Sequence, residues 1–171
     1  YLKEKYNKPG NVYLGLVHRL DRPVGGVMVF AKTSKAASRL SEAVRTHALK
    51  KEYLAILDGI PKQTEGTLVD YLYKDHRTNM VRTTDSSSGK KSILHYRTDS
   101  VVNGHTLVRI TLETGRSHQI RVQFASRGTP LLNDQRYNKH AVKGQIALYA
   151  WRLTFPHPTT HENITVTCLP Y

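Results

Sequence analysis

Asp21 stands between two cations in His18-Arg19-Leu20-Asp21-Arg22, just ahead of a glycine pair and an apolar run. Nearby positive charge keeps a part-buried carboxylate ionised, and an ionised carboxylate can act as nucleophile or base. A salt-bridged or turn-forming aspartate is the plainer reading of the same residues. A second segment, Gly115-Arg116-Ser117-His118-Gln119-Ile120-Arg121, opens a short predicted helix. Free N–H groups at a helix start, with Arg116 and Arg121 beside them, can hold a phosphate or a carboxylate. A surface helix with solvated arginines would look the same. The third segment, Lys50-Lys51-Glu52-Tyr53, sets an aromatic face beside positive charge. That combination stacks a nucleic-acid base while the cations hold its backbone, although tyrosines also simply pack in strands.

The chain as a whole is biased the same way. Of 171 residues, 26 are Lys or Arg and 13 Asp or Glu, a net charge of +13 that favours a polyanionic partner. No basic amphipathic helix stands out, which points toward nucleic acid rather than an acidic membrane surface. The nine histidines form no HExxH pattern, and a single cysteine, Cys168, leaves neither a CxxC metal site nor an internal disulfide. GxxxxGK[ST] and GxGxxG are both absent, so no metal and no nucleotide cofactor is expected. One cysteine suits a reducing compartment, and Cys168 is expected in the core. No apolar run reaches the ~18 residues of a membrane span.

The elements that would carry these residues can be read from periodicity. Val27 to Ala31 reads as a buried strand, and Thr33 or Ser34 caps a helix whose Ala36, Ala37, Leu40, Ala43, Val44 and Ala48 share one stripe. Tyr53 to Asp58 alternates as a strand and stops at Gly59. Strand-like runs follow at Thr67 to Tyr73 and Ile93 to Tyr96, separated by the polar loop Asp85 to Gly89. Asn103-Gly104 marks a hairpin, beyond which Thr106, Val108, Ile110 and Leu112 share a face. Ser117 is the expected cap of a helix carrying Ile120 and Phe124 and closed by Gly128; strands at Ile146 to Phe155 and Ile164 to Cys168 end the chain. Hairpins rather than βαβ alternation make this an α+β chain with a mixed, largely antiparallel sheet and flanking helices.

In this order and spacing, the three segments resemble the RluA-type RNA pseudouridine synthases. His18-Arg19-Leu20-Asp21-Arg22, with Gly26 and Ala31-Lys32, is similar to the family signature HRLDRxTSG. Lys51-Glu52-Tyr53-Leu54-Ala55 with Gly59 is similar to KxYxAxxxG, and residues 115 to 137 to GRxHQIRxHxxxxGxPIxGDxxY. The resemblance runs from about residue 14 to the end. Val24 and Gly25 depart from the usual Thr-Ser, Gln123 from a common His, and Asn133 from a common Gly.

The resemblance implies a mixed sheet split by a basic cleft, with neither metal nor cofactor. By position it makes Asp21 the catalytic aspartate, Tyr53 the tyrosine on the target base and Arg121 the arginine paired with the aspartate. Arg19, Arg22, Lys51, Arg116 and His118 become candidates for holding RNA, ribosomal or transfer. The implied reaction detaches uracil at N1 and rejoins it through C5. Asp21 would either attack C1′ or remove the C2′ proton, and Tyr53 would help remove the C5 proton. The family's Lys-Pro-x-Gly strand, some tens of residues before the HRLD motif, is missing, and Lys8-Pro9-Gly10 stands too close to His18 to be it. All 171 residues are therefore expected to form one catalytic domain without the family's N-terminal strand region, with more sequence upstream. A monomer in the cytoplasm, away from membranes, is expected. The rivals are an RNA-binding module that lost the chemistry and, more remotely, a metal-dependent nuclease.

Overall fold

The computed structural model describes residues 1–170. In chain order the elements are α1 (Leu2–Lys5), β1 (Gly15–Leu16), β2 (Gly25–Gly26), β3 (Phe30–Ala31), α2 (Ser34–Arg45), β4 (Lys50–Asp58), β5 (Glu65–Asp75), β6 (Met80–Thr84), β7 (Lys90–Val102), β8 (His105–Leu112), α3 (Gln119–Ala125), β9 (Leu148–Pro156) and β10 (Asn163–Thr167). An eight-stranded sheet runs β10-β9-β4-β8-β7-β5-β6, with β2 paired to β9, while β1 and β3 form a small separate pair. The β2–β9 pairing is parallel and the other ladders are antiparallel. The fold is thus the expected α+β class with a mixed sheet.

One face of the sheet carries the two larger of three apolar clusters. Tyr53, Ala55 and Leu57 of β4 and Val108 and Ile110 of β8 turn inward, as period-two alternation demands, and pack on Ile120 and Phe124 of α3. Helix α3 is buried from Gln119 through Phe124, which requires its polar members to be satisfied internally. Gln119 donates to the Ile93 carbonyl, Gln123 to the Leu68 carbonyl and Asp70, and Arg121 to two carboxylates. The second core lies under α2, where Leu40 and Ala43 meet Leu153 and Phe155 of β9. A register shift opposite Glu52 and Tyr53 makes Trp151 an extra residue in β9. This bulge lets Leu148 and Ala150 serve one core and Leu153 and Phe155 the other from the same face.

Several local expectations change. The Val27–Ala31 run is not one strand, since only Phe30–Ala31 pairs. Val27 and Val29 pack beneath α2 instead, so their apolar character reflects burial without a ladder. Thr33 caps α2 through its hydroxyl, accepting from the N–H of Ala36, but Ala48 lies beyond the helix and Leu49 is buried in its place. Ser117 does not cap α3: the chain enters through His118 in the left-handed region (φ 51), and the Gln119 side chain accepts the Arg116 N–H. Strand β6 carried no periodic signal strong enough to be named. Cys168 is half-buried rather than in the core.

Candidate active site

The loop bearing Asp21 is held at both ends. His18 accepts the N–H of Val29 at its Nε2, and the Asp21 carbonyl accepts the N–H of Val24 in a tight turn. Val24 is buried in the α3 core. Beyond it Gly25 and Gly26 lie against Tyr149 and Ala150 of β9. Gly26 sits at φ +132, and a Cβ there would overlap the Ala150 backbone, so only glycine lets the loop dock this closely. Asp21 is thereby pinned beside the β9 bulge, facing α3.

Arg121 reaches it from α3. Its NH1 donates to Asp21 Oδ2 at 2.6 Å, while Nε and NH2 form a two-pronged pair with Asp134 at 2.9 and 2.6 Å. The Arg121 side chain is 4% exposed, Asp134 0% and Asp21 27%, so one guanidinium serves a wholly buried carboxylate behind it and a part-exposed one in front. Among the described residues the other oxygen of Asp21, Oδ1, accepts only the Arg22 N–H, at 2.9 Å. Burial pushes the Asp21 carboxyl up. The Arg121 bond and charge, the neighbouring His118 ring and the Arg22 N–H outweigh it and hold the group below its ordinary value. The depressing cation is therefore Arg121, far along the chain, and not the side chains of Arg19 and Arg22.

These groups open onto a cavity of about 370 Å³, lined among others by Arg19, Lys51, Tyr53, Arg116 and His118. It holds every residue singled out from the sequence except Arg22, whose exposed side chain lies outside it. Tyr53 is pushed up to about 12, by burial first and by the charge of Asp21 second, so its phenol is neutral. Burial lowers Lys51, which has no acidic partner among the described residues. At the start of α3 the Arg116 side chain is tied to the Lys91 carbonyl and its N–H to the Gln119 side chain, while Arg121 holds two of the protein's own carboxylates. His118 is enclosed, its side chain 5% exposed.

Three residues complete the arrangement. Asp134 and Tyr137 lie in the same 115–137 stretch as Arg121, where the GDxxY end of the pattern was their signal. Lys74, from the β5–β6 hairpin, also lines the cavity and had no signal, because only the folded sheet brings it there. Among the described residues no group of three or more His, Cys, Asp or Glu is placed to hold a metal ion, and no helix is long and apolar enough to cross a membrane.

Comparison with known proteins identifies the family. Residues 1–126 match the family model described as RNA pseudouridylate synthase. Ribosomal large subunit pseudouridine synthase D of Vibrio cholerae serotype O1 is 38% identical over 165 residues, covering 88% of this chain and 50% of that protein. A Bacillus subtilis protein named "Uncharacterized RNA pseudouridine synthase YjbO" is 38% identical over 150 residues, covering 87% and 53%. The chain thus spans about half the length of these relatives. The structure of human RNA Pseudouridylate Synthase Domain Containing 1 superposes with a TM-score of 0.79 at 21% identity, covering 99% of this chain and 72% of that one, and so shares its fold. With its matched residues running through the Asp21 loop, β4 and α3, this chain belongs to the RNA pseudouridylate synthase family.

Proposed function

We propose that the chain isomerises uridine to pseudouridine in RNA, with Asp21 as the group that acts on the sugar. The observation that carries this reading is an ionised carboxylate anchored through one oxygen by Arg121, beside Tyr53 in a cavity whose other charged lining residues, Arg19, Lys51, Lys74 and Arg116, are all cations. Oδ1, with a single backbone donor, is the oxygen left to attack C1′ or take the C2′ proton. Arg121 stays balanced by Asp134 when Asp21 loses its charge, so the step strands no buried cation. Tyr53 supplies a stacking face for a flipped base, worth about 1–3 kcal/mol against the few kcal/mol of unstacking. Neutralising Asp21 also removes the second of the two causes that raise the Tyr53 hydroxyl, easing a proton role at C5. Arg19, Lys51, Lys74 and Arg116 suit the flanking phosphates. The names of relatives, such as a ribosomal large subunit pseudouridine synthase, support ribosomal RNA as the substrate proposed first, with transfer RNA as the alternative. The reaction uses no metal or cofactor, and excess chelator should leave it unchanged.

The test follows one hydrogen. Uridine loses its C5 hydrogen when C5 joins the sugar, so ribosomal RNA tritiated at uridine C5 should release label to water, up to one equivalent per modified site, while the strand stays full length. Transfer RNA forms a parallel arm. A binding module would release none, and a nuclease would shorten the strand. No release from either RNA by the full-length protein would overturn the proposal.

A further inference from the structure

We infer that His118 is a positioning residue for Asp21, a neutral imidazole whose Nε2–H is turned on the carboxylate by the hydroxyl of Tyr137, and not a contact for RNA. The inference rests on Asp21 being the group that acts on the sugar. Although it lines the cavity, His118 has a side chain only 5% exposed, and both its ring nitrogens face protein groups rather than a phosphate. Its Nδ1 lies 2.7 Å from Tyr137 Oη, and its Nε2 lies 3.6 Å from Asp21 Oδ2.

The proton can be placed from the partners. Tyr137 Oη accepts the N–H of Val81 at 2.9 Å and has one proton of its own to give. Among the described residues the only acceptor bonded to that hydroxyl is His118 Nδ1. Nδ1 therefore accepts, and in a neutral ring the remaining proton sits on Nε2, facing Asp21. Tyr137 is itself fixed, packed against Leu72, Val81 and Val122, with the Arg121 guanidinium 5.2 Å over its ring. One tyrosine thus steadies both groups that face Asp21 Oδ2. His118 also occupies the left-handed region, which residues other than glycine adopt rarely and which often marks a functional constraint.

The chemistry favours a neutral ring. An N–H donor orients the carboxylate without adding a second full positive charge beside Arg121, which would make Asp21 a weaker base and nucleophile. Once Asp21 is esterified or protonated, the same N–H can stay on Oδ2. At 3.6 Å the contact is longer than a hydrogen bond, and a shift of about half an ångström closes it. The charged groups around the ring are Asp21 on its loop, Arg121 on α3, Arg136 beside Tyr137, and Lys74 on β5. Burial lowers the imidazole and Asp21 opposes that, while the three cations add to the lowering.

Two measurements test the inference. In ¹⁵N-labelled protein without RNA, the His118 nitrogens should report the Nε2–H tautomer at neutral pH, and Tyr137→Phe should lose that preference. In single-turnover assays His118→Ala should slow the reaction about ten- to a hundred-fold, the worth of a hydrogen bond to a charged group, with RNA affinity within about twofold. His118→Gln, whose amide N–H can replace Nε2–H, should recover much of the rate and lose any acid limb that His118 contributes to the pH profile. An Nδ1–H tautomer, an imidazolium at neutral pH, an unchanged rate in His118→Ala, or a loss of RNA affinity in its place would each overturn the inference. The tautomer is read without substrate, so a protein that shows it yet releases no tritium would refute the synthase reading instead.

Discussion

Asp21 and Asp134 share one guanidinium but differ in burial, and replacing each by Asn should therefore separate stability from turnover. Asp134 takes two of the three Arg121 bonds and the Arg136 N–H besides. An amide there leaves the buried guanidinium with only the part-exposed Asp21 as a charge partner, and weakening a buried pair in this way costs about 3 kcal/mol, the low end for a broken one. Asp21→Asn leaves Arg121 paired with Asp134, and the Asn oxygen can still accept from NH1. The loss is one charge-assisted bond at a site 27% exposed, about 1–2 kcal/mol after allowance for solvent. The stability gap between the variants should thus be about 1–2 kcal/mol, with Asp134→Asn the weaker. Turnover should order them oppositely, since Asp134→Asn keeps the carboxylate at residue 21 and Asp21→Asn does not. Urea midpoints at unchanged m-value give the first ordering, and single-turnover tritium release gives the second. Asp21 lies below its unfolded pKa, so its contribution is present above that unfolded value and is lost as pH falls through the folded one. Asp21→Asn should flatten this part of the acid limb. The reasoning fails if Asp21→Asn is the less stable of the pair, or if it turns over.

Tyr53→Phe keeps the stacking face, so RNA affinity should stay within about twofold while turnover falls by about 10²–10⁴ if the hydroxyl moves a proton; normal turnover would remove that role. Lys74→Gln should make the log–log salt dependence of RNA binding shallower by about 0.7, and an unchanged slope would take Lys74 out of the interface. Gly26→Ala should lower the melting temperature through strain of about 1–3 kcal/mol at this φ and depress turnover further by shifting the Asp21 loop. Wild-type behaviour in both would show that the glycine does not pin the loop. His18, lowered by burial from 6.5 to about 4, takes up a proton more readily when unfolded. Stability should therefore fall by up to about 3 kcal/mol as pH drops from 6.5 to 4 and level off below; His18→Gln in a urea titration series should lack that slope.

The residues of the site were legible because their types are constrained by chemistry and their spacing by local structure. Asp21 in a turn, Tyr53 on the inward phase of β4 and Arg121 on α3 each follow from a short segment. The Asn103-Gly104 turn and the Thr106 to Leu112 alternation were likewise local, and β7 and β8 pair as that signal requires. What the segments could not state was who meets whom. Adjacency along the chain suggested that Arg19 and Arg22 depress Asp21, but side chains on one tight loop diverge, and the cation came from 100 residues away. A surface helix start is one reading of the 115–121 segment, whereas Gln119, Arg121 and Gln123 are buried because partners on β5, β7 and the 131–137 loop satisfy them. Lys74, on β5, lines the cavity beside residues of the Asp21 loop, β4 and α3 only in the assembled fold. Local sequence thus determined which groups were available for chemistry. Burial and charge pairing, which depend on segments distant in the chain, decided their ionisation, their orientation and which of them face the cavity.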